Sequence, residues 1–491
     1  MSKSPENITS FVLFGALGDL SLHKLIPAWY YLERENMLSD ELKILGVARQ
    51  DLTKEQFQKK IQDALNSFVA SEYLNAEVCT QLLSRLDYCC CDLQEPESYQ
   101  NLEQSLKGWS KPIAYYLAIS PSLFEQVCDG LNSINILTSL SRIVVEKPIG
   151  YNLESSKEIN LKLLKHFTES QIYRIDHYLG KETVQNLIAL RFANSLFSSQ
   201  WSNKGIESVE ITAAESVGIE DRWGYFDGVG QMKDMVQSHI LQLLCLIAME
   251  PPNRLNDQGI RSEKVKVLES LKPLGEAEIE KNFVTAQYLD GEILGIKKPG
   301  YINEQNAENE SATETFVSVK AEIQNWRWSG VPFYLRTGKR MASKTTQIVV
   351  HFKSDGHYIF DQKREKLKGN TLIISLHPAE SISLEVYTKP HGVDNNKSLR
   401  SDPMSLDFIK TQKLLNIPSG YQSLLMDILQ GDQSLFLCKE EVELAWQWCD
   451  NALESHKKTN QELYFYPAGT NGPKESELLI QSNGHEWYEE E

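Results

Sequence analysis

Over roughly the first 150 residues, short apolar runs alternate with segments whose apolar positions recur at helical spacing. Ser10–Phe14 reads as a first strand, Leu20–Leu32 as the helix after it, Lys43–Ala48 as a second strand and Thr53–Phe68 as a second helix. Further apolar runs lie at Leu86–Cys91, Ile113–Ile119 and Arg142–Val145. Strand, helix, strand at this spacing predicts a parallel sheet covered by helices. Beyond about residue 200 the texture changes. Period-two runs at Ser208–Thr212, Thr315–Ile323, Gln347–Phe352 and Thr371–Leu376 predict a mainly antiparallel sheet. Helical stretches at Met232–Ala248 and Tyr421–Gln430 sit among them, and the polar segments Asn303–Glu314 and Asp394–Asp402 read as loops. No internal repeat is visible. The fold class expected is α/β plus α+β, a nucleotide-binding domain followed by a larger α+β domain.

Composition narrows the function. The 491 residues are 41% apolar and 24% charged, a globular balance. The formal charge is −17, from 50 Lys+Arg against 67 Asp+Glu, and no basic run is concentrated anywhere. Such a surface repels nucleic acid and anionic membranes, so neither is an expected partner. An anionic substrate would need a few well-placed cations. Met1–Ser10 is polar, which argues against a secretory signal. The longest apolar stretch, Ile240–Met249, is about half of what a bilayer requires. Eight cysteines include adjacent Cys89, Cys90 and Cys91 with no C-x-x-C spacing, so they read as small core residues of a reduced, cytoplasmic protein.

A coenzyme site suggests itself after the first strand. Gly15, Gly18, Asp19 and Leu20 give a strand, a glycine turn and a helix start in the order that lets a pyrophosphate approach backbone N–H groups. The spacing is G-x-x-G, which an ordinary strand-to-helix turn also shows. The second strand ends in Arg49 and Gln50 rather than in the carboxylate that accepts from a ribose 2′-OH. A guanidinium there suits the 2′-phosphate of NADP, although a solvated surface arginine reads the same way. Together the two features favour NADP, with NAD as a weaker alternative.

Arg174-Ile175-Asp176-His177-Tyr178-Leu179-Gly180-Lys181-Glu182-Thr183-Val184-Gln185-Asn186 resembles the signature of glucose-6-phosphate dehydrogenases of bacterial type. Gly15–Leu25, Glu146-Lys147-Pro148, Gly224–Asp227, Asp234–His239 through Pro251, Val331–Lys339 and Tyr466–Gly469 are similar to the same family, so the resemblance covers nearly the whole chain. It implies a Rossmann-like NADP-binding domain over residues 1–180. A substrate-binding and oligomerisation domain would occupy 181–491, built on a mainly antiparallel sheet flanked by helices and assembling into homodimers or homotetramers. The implied reaction oxidises D-glucose 6-phosphate to 6-phospho-D-glucono-1,5-lactone with reduction of NADP, at the entry to the pentose phosphate route.

By the same resemblance His239 is the general base and Asp176 its carboxylate partner. His177, Tyr178 and Lys181 hold the 6-phosphate. Glu215 and Asp234 accept from sugar hydroxyls, Lys339, Lys344 and Lys24 lie on the substrate side, and Lys147 and Pro148 lie by the nicotinamide. Asp92 would touch the adenosine half. His177 and Lys181 are four apart, so on a helix they would share a face. A histidine base and an oxidised nicotinamide suffice chemically, so no metal is expected. The sequence departs from the family at Leu17, at His23, at Gln430 and at Cys438-Lys439. Two rivals are another NADP-linked sugar oxidoreductase, which shares the Glu-Lys-Pro turn, and a non-catalytic NADP-sensing relative. The first does not predict His177 and Lys181, and the second would be expected to lose His239 or Asp176.

Overall fold

Ser10–Phe14 (β1) is buried along its whole length, as are Ile113–Leu117 (β4) and Arg142–Val145 (β5). Unbroken apolar runs of this kind fit strands covered on both faces. With Lys43–Ala48 (β2), Leu86–Cys90 (β3) and Ile172–Arg174 (β6) they form an all-parallel six-stranded sheet in the order β3-β2-β1-β4-β5-β6. The computed structural model describes residues 7–305, 307, 310–354, 368–389, 399–405, 420–459 and 461–489. They divide into two units. The first takes in Met1–Lys181, Pro252–Ser262 and Leu415–Glu443, and the second the remainder, so no single cut in the sequence separates them.

In the first unit, Ile26–Arg34 (α1), Lys54–Phe68 (α2) and Ala76–Arg85 (α3) supply helices to the sheet. Thr53 starts α2 with a reciprocal cap, its hydroxyl accepting from Gln56 N while the Gln56 side chain accepts from Thr53 N. The helix expected over Leu20–Leu32 is wound differently in its first part. Ser21–Leu25 forms a wide π-type turn before α1 begins. Pro27 has no N–H to offer the His23 carbonyl and its ring crowds that position, which accounts for the opened register. The core joins Phe11, Trp29 and Tyr116 to residues from far down the chain, among them Leu424, Leu425, Ile428 and Phe436.

The second unit is built on Ile206–Ala214 (β7), Phe283–Leu289 (β8), a small hairpin of Gly291–Ile293 (β9) and Ile296–Lys298 (β10), Phe316–Glu322 (β11), Pro332–Gly338 (β12), Thr345–Phe352 (β13), Thr371–His377 (β14), Ser381–Thr388 (β15), Arg400–Ser405 (β16) and Tyr464–Pro467 (β17). Nine of these form one sheet, ordered β16-β15-β14-β13-β7-β12-β11-β8-β17. Only β7 with β12 and β8 with β17 run parallel, so the sheet is mixed and mostly antiparallel.

Two expectations change here. Asp394–Asp402 was to be a loop, yet Arg400–Asp402 begins β16, while residues 394–398 lie outside the described residues. β16 is polar and largely exposed, so its pairing with β15 rests on backbone hydrogen bonds that no hydrophobic pattern announces, and Pro403 is tolerated because this is an edge. Met232–Ala248 is helical as expected but in two windings, a π-type segment Met232–Ile240 followed by the α-helix Leu241–Ala248. Tyr421–Gln430 is a helix with the expected bounds. Among the described residues no helix is long and apolar enough to cross a membrane.

Candidate active site

In the first unit the glycine turn lies where the strand order reverses, between β1 and β4, the place at which open parallel sheets bind nucleotides. Gly15 has φ +77°, and a Cβ there would come within 2.2 Å of the Ala118 carbonyl oxygen, so only glycine fits. Gly15 N and Ala16 N both donate to Val47 O, which ties this turn to the end of β2. Ser21 Oγ and Gly18 N donate to Gly15 O at 2.8 and 2.9 Å. Gly18 and Asp19 are exposed at the helix start, with Leu20 half-buried, leaving backbone accessible to a ligand. Leu17 packs against the core, which explains how the turn accepts it. His23 is exposed, its ring 4.0 Å from that of Phe68, and Lys24 beside it is exposed. Arg49 and Gln50 are exposed at the end of β2. Asp92 caps its own turn, accepting from Gln94 N at 3.0 Å, so its carboxylate has a local structural task.

Glu146, Lys147 and Pro148 follow β5. Glu146 is buried and accepts from the Tyr116 hydroxyl at 2.5 Å and from that of Tyr421. Burial pushes its pKa up to about 7, outweighing the two hydroxyls and neighbouring Lys147, which pull it down.

The segment Asp176–Lys181 is a tight turn; the helix Glu182–Ala193 begins only after it. The shared helix face expected for His177 and Lys181 therefore does not exist. Asp176 is the cause, since its Oδ1 accepts from Tyr178 N at 2.9 Å and bends the chain back on itself. Tyr178 brings the two side chains together in another way. Its ring lies 5.1 Å from the His177 ring and 6.0 Å from Lys181 Nζ, centroid distances in both cases.

Backbone packing fixes this turn. A Cβ on Gly180 would come within 2.2 Å of Gly420 O, and one on Gly420 within 2.7 Å of His177 O. Tyr421, next in sequence, lies nearly parallel to the His177 ring at 6.1 Å and carries the hydroxyl that bonds Glu146. The Glu-Lys-Pro turn and the His177–Lys181 turn are thus joined through one tyrosine. Sequence reasoning missed Tyr421, because its apolar helix reads only as core.

In the second unit Lys339 ends the run begun by β12. Its Nζ lies 2.6 Å from Glu215 Oε2 and 3.6 Å from Asp234 Oδ2, with Lys339 and Asp234 largely buried. Two carboxylates beside one ammonium offer acceptor oxygens and a donor, suited to hydroxyl groups. The Lys339 backbone is held as well, its N–H donating to Thr315 O and its carbonyl accepting from the Tyr466 hydroxyl at 2.5 Å.

Asp234 and buried His239 share the π-type segment. Its i→i+5 hydrogen bonding brings residues five apart nearer to one face than α winding would. Glu314 caps that segment: its carboxylate accepts from Met232 N and its carbonyl from Gln231 N. Sequence reasoning missed this residue too, since it stands at the end of a polar stretch. Lys344 is exposed ahead of β13.

Residues 12–186 match the family model described as glucose-6-phosphate dehydrogenase, NAD binding domain, and residues 188–488 match that described as glucose-6-phosphate dehydrogenase, C-terminal domain. The chain belongs to the glucose-6-phosphate dehydrogenase family. A glucose-6-phosphate 1-dehydrogenase from Dickeya dadantii (strain 3937) is 43% identical over 488 residues, covering 99% of each chain. A solved glucose-6-phosphate dehydrogenase in complex with its substrate glucose-6-phosphate superposes with a TM-score of 0.90 at 31% identity over 100% of both chains. A glucose-6-phosphate 1-dehydrogenase from Mycobacterium avium gives a TM-score of 0.84 at 29% identity over 99% of both. The Rossmann-like sheet and the mixed, mostly antiparallel sheet described above are therefore those of the glucose-6-phosphate dehydrogenase family.

Proposed function

We propose that the protein oxidises D-glucose 6-phosphate at C1 to 6-phospho-D-glucono-1,5-lactone and reduces NADP⁺ to NADPH. The observation that carries this reading is the identity of 43% over 99% of the chain with a glucose-6-phosphate 1-dehydrogenase. The oxidised nicotinamide accepts the hydride from C1. His239 takes the C1 hydroxyl proton, and Asp176 orients the imidazole and stabilises its charged form. Lys147 and Pro148 lie at the nicotinamide, and Asp92 on the adenosine side. Gly15, Gly18, Asp19 and Leu20 receive the pyrophosphate, and the φ of Gly15 and the exposed helix start support that role.

Selection of NADP over NAD falls to Arg49, with Gln50 beside it. An exposed guanidinium in place of a strand-end carboxylate supports this. His177, Tyr178 and Lys181 grip the 6-phosphate, a role supported by the imidazole and the ammonium that lie around one phenol. Glu215 and Asp234 accept from sugar hydroxyls, with Lys339 and Lys344 on the substrate side and Lys24 at the mouth. Residues 1–180 bind the coenzyme and also contribute Lys24, Asp176, His177 and Tyr178 to the substrate, and 181–491 supply the rest of the substrate site and the subunit contacts, in a cytoplasmic homodimer or homotetramer.

His239→Asn tests the base. Turnover should fall about a thousandfold, within the range for losing a general base, while affinity for glucose 6-phosphate changes little. Near-normal turnover would refute the assignment.

A further inference from the structure

Three consecutive carbonyls at the end of β2 each receive a donor from β3 or the residue that follows it. Cys91 N donates to Ala48 O at 3.0 Å, Cys90 Sγ to Arg49 O at 3.4 Å and the Tyr88 hydroxyl to Gln50 O at 2.5 Å. Tyr88 and Cys90 are two apart on a strand and so project to the same side of the sheet. The Tyr88 ring is itself fixed by stacking on Phe57 of α2, with centroids 4.8 Å apart. Room for Phe57 comes from Gly46, where a Cβ would lie 2.5 Å from the Phe57 ring. Arg49 and Gln50 are exposed, yet the backbone that carries them is held from below at every residue.

We infer that Tyr88 is a positioning residue for coenzyme choice: with Cys90 it fixes the Ala48–Gln50 backbone so that the Arg49 guanidinium stands ready for a 2′-phosphate. The inference rests on the reading of Arg49 given above. A charged fork held in advance loses less freedom on binding than one on a loose turn, and the difference appears only for ligands that carry the phosphate.

Competitive inhibition by adenosine 2′,5′-bisphosphate and by adenosine 5′-monophosphate isolates that phosphate, since the two probes differ in nothing else. Arg49→Ala should weaken the bisphosphate about 30-fold, the scale of a charge-assisted bidentate contact. Tyr88→Phe should weaken it about three- to tenfold, and the monophosphate by no more than about twofold. In the double variant Tyr88→Phe should add nothing to Arg49→Ala, because it acts through that side chain. Cys90→Ala should act in the same direction by a smaller factor, and it tests the idea without disturbing the Phe57 stack if Tyr88→Phe does not fold. If Arg49→Ala loses the preference while Tyr88→Phe and Cys90→Ala both keep it, the inference fails and the Arg49 reading stands. Additive effects in the double variant also overturn the inference. If Arg49→Ala keeps the preference, both fall.

Discussion

Glu146 sits fully inside the first unit with two tyrosine hydroxyls on its carboxylate, and burial raises its pKa from 4.5 to about 7. A carboxyl whose pKa is raised by folding holds its proton more tightly in the folded state. Its contribution to stability is therefore complete below the unfolded value and is lost as pH rises through about 7. A shift of this size corresponds to about 3 kcal/mol at most. In Glu146→Gln this part of the pH dependence should vanish, so a plot of stability between the two values should be flatter than for wild type. Denaturant titrations across that window measure it, and an unchanged slope would contradict the assignment.

Lys339 poses the opposite problem, a buried cation between Glu215 and Asp234. Lys339→Met should destabilise the second unit by ~3 kcal/mol, because it leaves two carboxylates facing each other. Adding Glu215→Gln should recover part of that loss, and melting temperatures of wild type and the two variants provide the check.

At the scale of elements, the site depends on short segments whose geometry departs from regular structure. Glu314 holds the start of the Met232–Ile240 segment through Met232 N. Glu314→Ala should cost ~1–2 kcal/mol, as the loss of a helix cap does. It should also lower kcat more than it raises KM, since His239 lies in that segment; a change confined to KM would argue against the role.

These elements also show what the sequence made legible. The parallel strands were readable from short, largely apolar runs, and Leu86–Cys91 and Arg142–Val145 fall within a residue of β3 and β5. Tyr421–Gln430 was readable from its apolar spacing. The π windings at Ser21–Leu25 and Met232–Ile240 were not, because apolar spacing does not distinguish one helical register from another over a few residues. The turn at Asp176–Lys181 was hidden for a related reason. Its shape is set by an aspartate bonding its own backbone and by contact with Gly420, and the second of these is a tertiary event. The parallel pairing of β7 with β12 belongs to the same class, since alternation fixes a strand's faces but not its neighbours. The signature motif disclosed the family. The supporting tyrosines and Glu314 stayed silent because they look like core or loop.

For the whole molecule, the first unit depends on chain that returns from more than two hundred residues away. Leu424, Leu425, Ile428, Leu429 and Phe436 belong to its core, and Arg142 donates to the Ile428 and Leu429 carbonyls at the end of that helix. Burying five such side chains contributes about 10 kcal/mol, comparable to the whole stability of a typical domain. A fragment ending at Lys181 should therefore melt without cooperativity. Joining residues 420–443 to it through a flexible linker should restore a sharp transition by circular dichroism.

Preference for a phosphorylated sugar is a property of the entire chain. Its most direct test follows the ultraviolet absorbance of reduced nicotinamide while the purified protein is given NADP⁺ with either glucose 6-phosphate or glucose. Reduction should be rapid with the phosphorylated sugar, and kcat/KM lower by orders of magnitude with glucose. Equal rates on the two sugars, or none on either, would contradict it.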